Sequence, residues 1–304
     1  MADPVAQIPV EAPTASVLDP DFLVGIPTQI IRQTYDRRDT ILYALGVGAG
    51  QQVDHPGDLP FVLEDRLLAL PTMAVVLASP GFWQMERRYG IDWQRVLHAE
   101  QSCDFHAPLP VEGAVRGEFS IDAIVDKGPE KGAILRARRL IYDQADNRLL
   151  ATVRQTSFLR GDGGRGSAGG DIRSLEPVPD RSPDHIVPLT TRPEQALLYR
   201  LSGDYNPLHA DPAVASAAGF QRPILHGLCT YGLAGRALLA AVCENDPARL
   251  KSMSCRFTAP VFPGEELDVH IWEAGNDTLC FRVMAPARAL VVIDRGHARI
   301  APPA

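Results

Sequence analysis

The chain has 304 residues, 45% of them hydrophobic and 22% charged, with a formal net charge of −7 at neutral pH. Its length admits two domains around a sizeable core, its composition is that of a soluble globular protein, and its acidic balance excludes an electrostatic case for nucleic acid or an anionic membrane. The five cysteines, Cys103, Cys229, Cys243, Cys255 and Cys280, stand in apolar runs without a C-x-x-C pair, which argues against a zinc ribbon or a redox couple and fits reduced thiols in the cytoplasm.

In chain order, residues 1 to about 25 are proline-rich and are expected to lie extended over the surface; they lack the basic start and apolar core of a signal peptide. Tyr35-Asp36 through Asp39 offers capping residues for a short helix that stops at Gly46 to Gly50. Leu67 to Val76 is apolar, is broken by Pro71 and is closed by Pro80; even the run to Ala78 is too short to span a membrane. Ala114–Ile124 and Ala133–Asp143 alternate as strands do, around the turn-rich 126–132, and Leu149–Leu159 reads as a third strand. Gly161 to Gly170 contains G-x-G-x-x-G directly after that strand. A dinucleotide site would need a helix to open there, and Pro177, Pro179 and Pro183 forbid one, so 161–191 reads as a flexible linker between two units, 1–160 and 192–304. Ile224 to Val242 is an apolar helix, and Glu266–Trp272 a further strand.

One short segment occurs twice. Ser102-Cys103-Asp-Phe105-His-Ala107-Pro108 returns as Ser254-Cys255-Arg-Phe257-Thr-Ala259-Pro260, identical at five of seven positions, each copy followed by a proline, a glycine and a strand-like run. The match points to a duplicated domain in which each copy wraps an antiparallel sheet around a helix; the alternative is a shared strand-entry turn. The copies are unequal. Where the second half has Tyr199 to His209, the first has Tyr35-Asp36-Arg-Arg-Asp39 and no imidazole.

The chemistry-bearing stretch is Asp204-Tyr-Asn206-Pro207-Leu-His209-Ala-Asp211-Pro, then Pro223-Ile-Leu-His226-Gly227. Proline fixes its own φ and pushes the residue before it out of the helical region, so Asp204 and His209 flank a bend and can converge. Such a turn with a nearby histidine is also a common helix-capping loop. Over its full length, however, the pattern resembles the hydratase 2 signature of the MaoC-like family, (R)-specific enoyl-CoA hydratases; segments 35–50 and 149–164 resemble that family too. Arg165 and Ser167 depart from its usual linker.

The resemblance implies an α+β double hotdog fold with a catalytic C-terminal half; the N-terminal half, which lacks the imidazole and whose apolar 67–83 is broken by Pro71 and Pro80, is expected to be non-catalytic and to accommodate the acyl chain, the alternative being that these residues fill its core. It implies a stand-alone hydratase that adds water reversibly to trans-2-enoyl-CoA, giving the (3R)-hydroxy product, in fatty-acid or sterol side-chain β-oxidation. Coenzyme A enters as part of the substrate, no cofactor or metal is needed, and a homodimer is expected. The reaction must deprotonate water at Cβ, protonate Cα and stabilise charge on the thioester oxygen. Asp204 and His209 share the first two tasks, in an order the sequence leaves open. Gly227 matches the family's oxyanion glycine at the start of the long helix, where free N–H groups favour negative charge. Asn206 either orients the water or caps a turn. His226 reads as a packing or capping histidine, and His98, His106, His185 and His297 show no carboxylate partner. Arg222, Arg236, Arg249 and Lys251 are candidates for coenzyme A phosphates. A hotdog thioesterase and a non-catalytic acyl-CoA-binding subunit are the alternatives.

Overall fold

The fold was taken from a computed structural model, described for residues 17–51 and 56–302. The strands are β1 (Gln29–Tyr35), β2 (Val96–Phe105), β3 (Gly113–Asp126), β4 (Ala133–Asp143), β5 (Leu149–Leu159) and β6 (Ala168–Gly169). They continue as β7 (His185–Thr190), β8 (Leu250–Phe257), β9 (Glu266–Glu273), β10 (Thr278–Ala285) and β11 (Leu290–Ile300). All join one antiparallel sheet in the order β1-β3-β4-β5-β2-β8-β11-β10-β9-β7, with β6 pairing β3. Read from either end, the order gives the same topology. The first half runs β1-β3-β4-β5-β2 and the second β7-β9-β10-β11-β8, so the molecule is the expected α+β double hotdog.

The repeated segment lies at the centre. Its first four residues in each copy end the central strands β2 and β8, which pair with each other, and its last three lie in the connection towards β3 or β9. Their antiparallel register sets Ser102 opposite Ser254, with Gln101 opposite Cys255 and Cys103 opposite Met253. Equivalent serines therefore face each other across a pseudo-twofold axis. Beside them Glu100, 6% exposed, accepts from Arg256 of the other half at 2.6 Å and lies 3.7 Å from Arg136.

The helix Gly227–Val242 packs on strands β7, β8 and β9 and is apolar around most of its girth, as a largely enclosed helix must be. Two glycines set how closely it nests. A Cβ on Gly232 would stand 2.4 Å from Val47, and one on Gly235 would stand 2.6 Å from Thr72. They let the helix press on the first-half segments Arg37–Gly46 and Pro71–Val75, so a single apolar core crosses between the halves. The helix Arg37–Gly46 starts at the capping box expected from the sequence, Asp36 and Asp39 each accepting the other's backbone N–H at 3.0 Å.

Three expectations need correction. Residues 1–16 lie outside the described residues, but the rest of the supposedly extended N-terminus includes a short helix, Pro20–Val24, capped by Asp19. Its Leu23 is fully buried with Trp83, Tyr89 and Phe119. The stretch 161–191 is no flexible linker throughout: β7 is an edge strand on β9, and the glycine-rich part is tied to the β3–β4 turn. Asp126 there accepts backbone N–H groups of Gly128, Gly164 and Gly166, each at 2.8 Å. Finally, the apolar segment from Leu67 forms only a 3-10 turn, Pro71–Val75, where the second half has its sixteen-residue helix.

Candidate active site

Asn206, ahead of Pro207, takes the extended ψ of 120° that proline imposes, and the chain then closes into the 3-10 turn Pro207–His209. Two short side chains brace the bend. Asp204 Oδ1 accepts the Asn206 N–H at 3.2 Å and Asn206 Oδ1 accepts the Leu208 N–H at 3.1 Å, so the Asn206 oxygen is a turn cap. Asp211 opens the helix Pro212–Ala217 by accepting from Ala213 at 2.8 Å.

The bend brings Asp204 and His209 together and adds His226. One donor atom from each of the three side chains lies within 4.8 Å of the others. Among the described residues this is also the one cluster whose geometry would suit a metal ion. The imidazoles stack, with ring centroids 3.8 Å apart and planes 27° from parallel. A carbonyl oxygen only accepts, so each ring's tautomer follows from its backbone partner. His209 donates from Nδ1 to the Ile224 carbonyl at 2.8 Å, which leaves Nε2 as the basic nitrogen. His226 donates from Nε2 to the Asp204 carbonyl at 3.1 Å and thereby holds the backbone of the carboxylate residue. Its Nδ1 is buried without a partner among the described residues.

Burial keeps all these rings neutral. Desolvation lowers the His209 pKa from its usual value, against the pull of the Ile224 carbonyl and the Asp204 charge. His226, 1% exposed, is pushed down to about 3 by burial and by its neighbour His209.

Gly227 begins the long helix, and neither its N–H nor that of Leu228 donates to a backbone carbonyl among the described residues. A Cβ on Gly227 would meet the Phe257 ring at 3.3 Å, so glycine lets that ring pack closely at the start of the helix, where the N–H groups are free. The same ring packs edge-on against His98 of β2, centroids 4.9 Å apart. Burial lowers His98 to about 4, while the charge of Asp204 raises it, which places a first-half side chain beside the second-half pair. Sequence reading passed over His98 for want of a carboxylate in its own neighbourhood. The repeat held the signal: a self-complementary β2–β8 pairing carries the start of β2 to the end of β8, where Phe257 stands.

The four basic candidates part company. Arg222 is exposed on the turn just before the catalytic helix, its guanidinium 5.2 Å over the Phe262 ring. Arg236 is a structural cation: it holds Asp58 at 2.7 and 2.8 Å and the Val47 carbonyl at 3.0 Å. Arg249, 9% exposed, is bound to the Ala301 carbonyl and to Glu244. Lys251 is exposed, but it lies at the far end of β8 from Phe257, roughly 20 Å away at the usual strand rise. Arg236 and Arg249 are thus corrected as phosphate ligands because Asp58 and the Val47 carbonyl hold the one, and Glu244 and the Ala301 carbonyl the other, inside the fold, and Lys251 because of its distance. No helix among the described residues is long and apolar enough to cross a membrane.

Residues 33–161 match the MFE-2 hydratase 2 N-terminal domain, and residues 174–292 match the MaoC like domain. The 3-hydroxyacyl-thioester dehydratase Y of Mycobacterium tuberculosis (strain ATCC 25618 / H37Rv) is 42% identical over 92% of this chain and 97% of its own. The peroxisomal enoyl-CoA hydratase 2 of Arabidopsis thaliana is 39% identical over 87% of this chain and 90% of its own. The crystal structure of a MaoC-like dehydratase from Phytophthora capsici superposes with a TM-score of 0.84 at 34% identity, covering 93% of this chain and 99% of that one.

Proposed function

The chain belongs to the MaoC-like hydratase 2 family, and from that premise we propose that it adds water reversibly to trans-2-enoyl-CoA to give (3R)-hydroxyacyl-CoA. The observation that carries this reading is the neutral, tautomer-fixed His209 clustered with the Asp204 carboxylate and with His226, the residue that precedes Gly227. Water held between the pair loses a proton to it as its oxygen bonds to Cβ, and the pair returns a proton to Cα. The thioester oxygen, which gains negative charge between those steps, accepts from the Gly227 N–H at the positive end of the helix. Asn206 contributes by fixing the bend, with its amide NH2 available to the water. His226 acts as a positioning residue through the Asp204 carbonyl.

The acyl chain is assigned to the first half, where a short 3-10 turn, Pro71–Val75, stands in place of a full helix. The working unit is taken to be a cytoplasmic homodimer. Buried, unpaired cysteines support a reducing compartment, and light scattering of the purified protein reads the assembly.

The test is to follow the conjugated-thioester absorbance of a trans-2-enoyl-CoA together with free thiol. Hydration without thiol release is expected. Thiol released from a saturated acyl-CoA, with the enoyl-CoA untouched, would identify a thioesterase.

A further inference from the structure

Strands β2 and β8 each carry a bulge, and the two bulges stand at equivalent positions. On β2, His98 pairs with Ser157 of β5 and Glu100 with Thr156, so Ala99 is the extra residue. On β8, Leu250 pairs with Ile300 of β11 and Ser252 with Arg299, so Lys251 is the extra one. The repeat that sets Ser102 on Ser254 also sets Ala99 on Lys251 and His98 on Leu250.

Each bulge changes the face that the start of its strand presents. Cys103 and Phe105 point into the core, as do Met253 and Cys255, while Glu100 and Arg256 meet on the other face. Strict alternation from these residues would turn Leu97 and Lys251 inward and His98 and Leu250 outward. The bulges reverse this. Leu97 and Lys251 are exposed, whereas Leu250 belongs to the core and His98 packs inward on Phe257.

Duplication supplies an internal control. At this position the fold asks for a side chain that fills the space inside the bulge, and in the second copy a fully buried leucine does so. The first copy, whose strand here adjoins the catalytic helix, has an imidazole instead. What an imidazole adds is orientation. Its Nε2 donates to the Glu100 carbonyl at 3.2 Å, which fixes the ring, and the ring stands at 72° to Phe257 with centroids 4.9 Å apart. Phe257 in turn supports the start of the helix. A Cβ on Gly227 would lie 3.3, 3.3 and 3.4 Å from three consecutive carbons of that ring. A point so nearly equidistant from three neighbours lies over the ring face and not at its rim. Glu100, His98, Phe257 and Gly227 thus form one line of contacts from the first half to the free N–H groups of the helix.

We propose that His98 is a positioning residue of the active site: it sets the Phe257 ring on which the start of the catalytic helix rests, and so the place of the Gly227 N–H that meets the thioester oxygen. This rests on the hydratase reading above. It gives the first half a part in the chemistry although that half has no catalytic loop.

The experiment measures crotonyl-CoA hydration by the wild type, His98→Leu, Phe257→Leu and the double variant, with stability followed in urea. His98→Leu places in the first half the residue that the second half already has there, so the space stays filled. A displaced oxyanion donor acts on the transition state, so His98→Leu should lower kcat roughly tenfold and leave KM within about twofold. The double variant should be no slower than the slower single one, because both changes remove the same support. The enolate absorbance of bound acetoacetyl-CoA, which grows as charge on the thioester oxygen is stabilised, should weaken in His98→Leu. If the leucine variant is unstable, His98→Met carries the same comparison. An unchanged kcat, an unchanged enolate band, a loss confined to KM, or losses that multiply in the double variant would each overturn the proposal and leave the hydratase reading intact. Failure of the wild type to hydrate crotonyl-CoA overturns that reading instead.

Discussion

Acidification from pH 7 to pH 5 should destabilise the fold through two histidines at the junction of the halves. The unfolded chain protonates its histidines near pH 6.5. In the folded state burial holds His98 at about 4 and His226 at about 3, so both stay neutral as the pH falls. The unfolded state then binds more protons than the folded one, and stability decreases with falling pH. The loss starts near pH 6.5 and continues until the folded pKa values are reached. Between pH 7 and pH 5 each group costs about 2 kcal/mol, roughly 4 for the pair, an order-of-magnitude figure against a total of about 5–15 kcal/mol. Urea melts at pH 7, 6 and 5 measure the effect as a fall in the midpoint at constant slope. His98→Gln should remove its share of about 2 kcal/mol, with His209, whose pKa burial also lowers, adding in the same direction as His226. If the midpoint is flat from pH 7 to 5, or if His98→Gln leaves the full dependence, these rings are not buried neutral and the derivation fails.

Asp204→Asn and His209→Ala should each lower kcat by roughly a hundredfold or more, with unchanged circular dichroism; a folded variant with near-normal turnover removes that residue from the chemistry. Glu100→Ala leaves Arg256 and Arg136 without their shared carboxylate between the halves and should cost about 3 kcal/mol in a urea melt, whereas a change below half a kcal/mol would mean that the cluster is solvent-screened. The product should be the 3R alcohol, read with dehydrogenases specific for each enantiomer; signal only with the S-specific enzyme contradicts it. Val75, 4% exposed in the 3-10 turn, when replaced by Trp should raise KM for long-chain enoyl-CoA far more than for crotonyl-CoA; equal effects place the acyl chain elsewhere.

Local signals made much of this legible. Capping residues at Asp36 and Asp39, alternation from Ala133 to Asp143 and the Asn206-Pro207 bend each act within a few residues, and the structure has them as read. What escaped depends on distant partners. Strand β7 contains Pro188 and follows a proline-rich stretch, and it is a strand because β9 offers an edge. Arg236 looked free until Asp58 and the Val47 carbonyl came to it from the other half. His98 joined the site by the same route. In each case the missing information was a tertiary pairing, which periodicity along one segment does not carry.

The facing serines at the centre of the sheet have a consequence for connectivity. Because Ser102 and Ser254 mark a self-complementary seam, the contacts across it do not depend on which half is translated first. A rearranged gene that starts near residue 174 and rejoins the natural ends through a tether long enough to span them would carry the same strand neighbours in the same order. The catalytic half would then emerge from the ribosome ahead of the half that supplies its His98. Half-chains expressed apart would each expose β2 or β8 as a bare edge with unpaired backbone groups. Such halves should seek each other, or copies of themselves, before they do anything else.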